Sequence, residues 1–105
     1  MEMTETMKLA AEMTAEVLPW MQNFHKAFPG QRYLARTVQK IVKDGAVEAA
    51  RYALDTDSQP GMFTWHREHG GWEYTFEYWV ASERYSVLFT AAEVKYAKAR
   101  MAYGS

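Results

Sequence analysis

The chain has 105 residues, 12 Lys and Arg against 13 Asp and Glu, and a formal net charge of −1, so no global field draws it to nucleic acid or to an anionic membrane. Hydrophobic residues make up 49% and aromatics 15%, which is enough for one packed core and too much for a disordered chain. The lack of cysteine excludes disulfides, thiolate metal sites and a cysteine nucleophile.

No apolar run approaches the roughly 18 residues that a membrane span requires. The opening MEMTETMKL carries Glu2 and Glu5 where a secretory signal would be basic. The expectation is a soluble, cytoplasmic protein folded as a single compact domain over residues 1–105, with no membrane partner.

From Thr4 to about Lys26 the chain is rich in Met and Ala, with glutamates interspersed, and reads as a first helix. Pro19 falls inside it, where a missing donor and a steric clash predict a kink or break between Glu16 and Trp20. Phe28-Pro29-Gly30 closes the segment. A second helix is expected from about Gln31 to Lys43, with Leu34, Val38, Ile41 and Val42 on one side and Arg32, Arg36, Lys40 and Lys43 on the other. Asp44-Gly45 is a stop signal, and Ala46 to Leu54 supplies two further helical turns. Asp55 to Gly61 (DTDSQPG) has turn-forming composition throughout.

The second half reads differently. Gly70-Gly71 matches a two-residue hairpin loop, because primed turns need positive φ. With that loop, Phe63, Trp65, Tyr74, Phe76 and Tyr78 share one face of a sheet, and a turn at Ala81 to Arg84 adds Tyr85, Val87 and Phe89 to it. Thr90-Ala91-Ala92-Glu93 has the form of a capping box. It opens a last helix to about Ala102, with Val94, Ala97 and Met101 inward and Lys95, Lys98 and Arg100 mostly outward. The fold class expected is α+β: N-terminal helices packed on a three-stranded antiparallel meander, followed by a C-terminal helix.

Function follows from what the opposite face of that sheet would carry. Glu68, Glu73 and Glu77 form an acidic strip there, and Met62, Trp79 and Leu88 an apolar patch, the composition of an interface centre. His66 and His69 lie three apart, on opposite faces of a strand, so they do not share a metal ion. No nucleophile elbow, phosphate loop or zinc-protease helix is present, and no cofactor or metal is expected. These features point to a small non-enzymatic accessory, inhibitor or adaptor protein of the kind found in phages and mobile elements. It would occlude a protein partner, steered by the glutamates and anchored by Trp79. The alternative is a nucleic-acid-binding regulator that lays Arg32, Arg36, Lys40 and Lys43 along a phosphate backbone. An uncovered sheet edge would in addition allow a homodimer by strand pairing.

Overall fold

A computed structural model describes residues 4–55, 68–70 and 75–104, and these are helical wherever they are regular. Helix α1 spans Glu5–Ala27, α2 Arg32–Asp44, α3 Ala46–Asp55, α4 Phe76–Ala81 and α5 Ala91–Gly104, with a single 3₁₀ turn at Ser86–Leu88 between the last two. The chain divides into two compact units, Met1–Ala49 and Ala50–Ser105, the boundary falling within α3.

In the first unit α1 begins at Thr4, whose hydroxyl accepts from the Met7 N–H at 3.1 Å. This satisfies one of the four amides that a helix start leaves open. Met13, Val17, Met21 and Phe24 recur at helical spacing and are buried, and α1 packs on α2. Pro19 does not end the helix, which runs unbroken for 23 residues. Proline removes only its own donor, and Pro19 is exposed, so its ring stands on the solvent side while the buried row continues on both sides of it. At the far end the Phe28 N–H returns to the Phe24 and His25 carbonyls. The Phe24 and Phe28 rings meet edge to face at 5.4 Å, and Pro29 cannot extend the helix.

The joint between α2 and α3 is one residue long. Gly45 has φ 90°, a conformation in which a side chain is strained. Its N–H donates to the Ile41 carbonyl at 2.8 Å and its carbonyl accepts from Ala49 at 3.1 Å, so it ends one helix and begins the next. Thr14 of α1 completes the joint. Its hydroxyl accepts from the Ala46 N–H at 2.9 Å and donates to the Ala10 carbonyl at 3.2 Å.

In the second unit the expected meander is overturned. Among the described residues there is no strand. Residues 68–70 are helical, α4 occupies the second half of the expected second strand, and a 3₁₀ turn occupies the third; residues 62–67 and 71–74 of the proposed hairpin lie outside the described part. The sheet edge through which two copies would pair is likewise absent from the described residues. The physical reason is legible in α4. Thr75 caps it by accepting from the Tyr78 N–H at 3.3 Å, and Phe76, Glu77, Trp79 and Val80 are all buried. That is burial at i, i+1, i+3 and i+4, one helix face, whereas a strand would have buried every second residue. The turn after α4 is real but serves another purpose. The Ser82 hydroxyl donates to the Trp79 carbonyl at 2.6 Å and accepts from the Tyr85 N–H at 3.3 Å, which leads into the 3₁₀ turn. Tyr85, Leu88 and Phe89 then point inward and Val87 is 75% exposed. The C-terminal capping box is present: the Thr90 N–H donates to Glu93 Oε1 at 2.8 Å and the Glu93 N–H to the Thr90 hydroxyl at 3.1 Å.

Candidate functional site

The residues expected to form an acidic and apolar docking surface are not assembled as one. Met62 and Glu73 lie outside the described residues. Glu68 is exposed in the helical turn at 68–70. Glu77, Trp79 and Leu88 are 6%, 6% and 8% exposed and belong to the core of the second unit. Trp79 makes ring contacts with Tyr78 at 5.3 Å and Tyr85 at 6.2 Å, so its indole is already covered by its own chain.

Glu77 has a specific reason to be inside. Its Oε2 pairs with the Arg100 Nε of α5 at 3.0 Å, both side chains largely buried at 8% and 18% exposure. The Arg100 guanidinium also donates to the Tyr96 hydroxyl at 3.1 Å and lies 5.6 Å from the Tyr96 ring centre, which corrects its expected outward placement. Desolvation pushes the Glu77 carboxyl above its ordinary range despite the opposing pull of Arg100. A buried pair of this kind holds α4 to α5 in one arrangement and adds little net stability. A second cluster ties the start of α5 to α3. Arg51 donates to the Leu88 carbonyl at 3.0 Å and pairs with Glu93 Oε2 at 3.4 Å, its guanidinium 5.8 Å from the Phe89 ring centre. Both clusters are structural ties between helices. Among the described residues no group of three His, Asp or Glu is placed to hold a metal ion, and no helix is long and apolar enough to cross a membrane.

Of the four basic residues expected along one side of α2, three are exposed and Lys40 is not. Leu34, Thr37 and Ile41 are buried, while Arg32, Arg36, Gln39 and Lys43 are exposed. At about 100° per residue these four exposed positions, spaced four, three and four apart, fall within an arc of about 60° and form a row about 16 Å long. Among the described residues Arg32, Arg36 and Lys43 form no ion pair. Lys40 stands apart from them. It is half-buried and bonded to Asp44 at 2.6 Å, and that hydrogen bond holds the Asp44 carboxyl below its usual range. The only carboxylate of α2 is thereby neutralised at the edge of the row, and three cations are left facing solvent.

Two neighbours of the row were not singled out by sequence reasoning. Val42, expected on the core side, is 65% exposed, and Thr37 is buried in its place. On a helical projection Val42 lies about 90° from the centre of the Leu34 and Ile41 face, so angular position would have identified it. Gln39 carries no charge and stands between Arg36 and Lys43 in the same line. The chain matches no known protein family, curated protein or solved structure.

Proposed function

We propose that the protein is a non-enzymatic binding protein that acts by occupying a protein partner, and that its docking surface is the outer face of α2. The observation that carries this reading is the row of Arg32, Arg36 and Lys43, exposed and without an ion pair among the described residues, beside a Val42 that is 65% exposed. Arginine side chains present fixed forks that match carboxylates in pairs, and a row of them with an apolar neighbour supplies both steering and anchoring. The near-neutral chain, at −1 overall, lacks the general positive field that non-specific nucleic-acid binding relies on.

One feature favours a second reading. A straight row of three cations with an amide between them also suits a phosphate backbone, with Gln39 directed at base edges. A single experiment separates the two: affinity capture from lysate with the native chain and with Arg36→Glu/Lys43→Glu, each with and without nuclease. A stoichiometric protein band that survives nuclease and is lost in the double variant supports the protein-binding reading. Recovery of nucleic acid, with affinity falling as about the third power of salt concentration for three phosphate contacts, supports the other. Capture unaffected by the double variant would remove α2 from both.

A further inference from the structure

We propose that the partner segment seated on α2 is an acidic amphipathic α-helix, its carboxylates paired with Arg32, Arg36 and Lys43 and an apolar side chain laid over Val42. This rests on the protein-binding reading and narrows it to one chemistry. The exposed side of α2 carries two parallel stripes, and they differ in character. One is the basic row. The other is Ala35, Val38 and Val42, at i, i+3 and i+7, of which the first two are half-buried and the last is 65% exposed. A surface with a cationic stripe beside an apolar one is the complement of a helix with an anionic stripe beside an apolar one.

The spacing selects a helix over other acidic segments. The intervals from Arg32 to Arg36 and from Arg36 to Lys43 are about 6 Å and about 10 Å along the axis. An extended strand offers same-face side chains every 6.7 Å or so, which meets the first interval and misses the second. A helix laid beside α2 presents carboxylates four and seven residues apart at the same two intervals, and can place an apolar residue three or four positions from them, over Val42. A nucleic-acid backbone satisfies the cations equally well but gains nothing from the apolar stripe. The exposure of Val42 therefore favours a protein helix.

The test titrates the isotope-labelled full chain with helical peptides whose glutamates stand four and seven apart beside a leucine stripe, with scrambled peptides of the same composition, and with a short DNA duplex. The patterned peptide is expected to bind more tightly than its scrambled form and to shift the amide signals of residues 35–43. Arg36→Glu/Lys43→Glu should weaken it by about tenfold or more. Val42→Ser, a change at an exposed position that leaves the helical circular dichroism intact, should weaken it several-fold. Equal binding of patterned and scrambled peptides, indifference to Val42→Ser, or preference for the duplex would overturn the proposal. So would concentration-dependent self-association abolished by the charge reversal, which would make a second copy the occupant. If the charge reversal removes capture from lysate yet no patterned peptide is preferred, the protein-binding reading stands and this inference fails. If capture is untouched, both fail.

Discussion

Gly45 and Trp79 show how differently two conspicuous residues are constrained. At Gly45 the constraint is the backbone, since an added Cβ would meet Thr14 Oγ1 at an ordinary 3.5 Å while the φ of 90° disfavours any side chain. Gly45→Ala is therefore expected to destabilise by about 1–2 kcal/mol, read as a lower urea midpoint with unchanged slope; an unchanged midpoint would show that the joint tolerates a shift. At Trp79 the constraint is packing. With 6% exposure, Trp79→Ala should cost about 3–5 kcal/mol and loosen the second unit, so a variant that melts like the native chain would contradict its burial. Glu77 adds a pH dependence whose sign is fixed by burial. A carboxyl whose folded pKa lies above its unfolded value favours the native state in acid, and that contribution is lost as pH rises from the ordinary carboxylate range through the raised value. Denaturation between mildly acidic and neutral pH should accordingly show a downward slope that Glu77→Gln flattens, and a slope retained by the variant would assign it to another group.

Among the elements, those marked by local chemistry were legible and those decided by packing were not. The stop at Gly45 and the start of α5 at Thr90 follow from residues that act on their own backbone, and each is found; the two sides of α2 are found only in part, with Val42 exposed and Lys40 set apart from the other cations. Thr90→Ala should cost about 1 kcal/mol by uncapping α5, measurable as faster amide exchange in its first turn; exchange unchanged there would deny the box a role. The meander failed for a physical reason. Phe76, Tyr78 and Val80 alternate with Glu77 and Trp79, and over six residues an alternating pattern and a short buried helix cannot be told apart by hydrophobicity. What decides is that the polar-looking set is also buried, Glu77 because Arg100 meets it and Trp79 because Tyr85 does. Arg100 is distant enough in sequence from Glu77 to leave no local signal. With these two residues buried, the expected docking patch is not assembled, whereas Arg32, Arg36 and Lys43, which need only one helix to line up, are exposed on α2. Pro19 makes the converse point: it does not break α1, whose buried row continues on both sides of it.

For the molecule as a whole, charge separation carries more information than net charge. An isoelectric point near 6.3 conceals a helix with four cations and one carboxylate. Reversing Arg36 and Lys43 takes the formal charge from −1 to −5, each reversal subtracting two, yet both side chains are exposed and without ion pairs among the described residues. Folding stability should stay within about 0.5 kcal/mol of the native value while partner capture is lost, and a large drop in melting temperature would mean the row supports the fold. A different sort of reach belongs to Glu93, whose two oxygens serve two masters: Oε1 closes the cap at Thr90 and Oε2 holds Arg51. Fixing the side chain for one task lowers the entropy lost in the other. Arg51→Ala should therefore free the Glu93 side chain and speed exchange of the Thr90 amide, far from Arg51 along the chain, and that effect should vanish when Glu93 is already replaced by alanine.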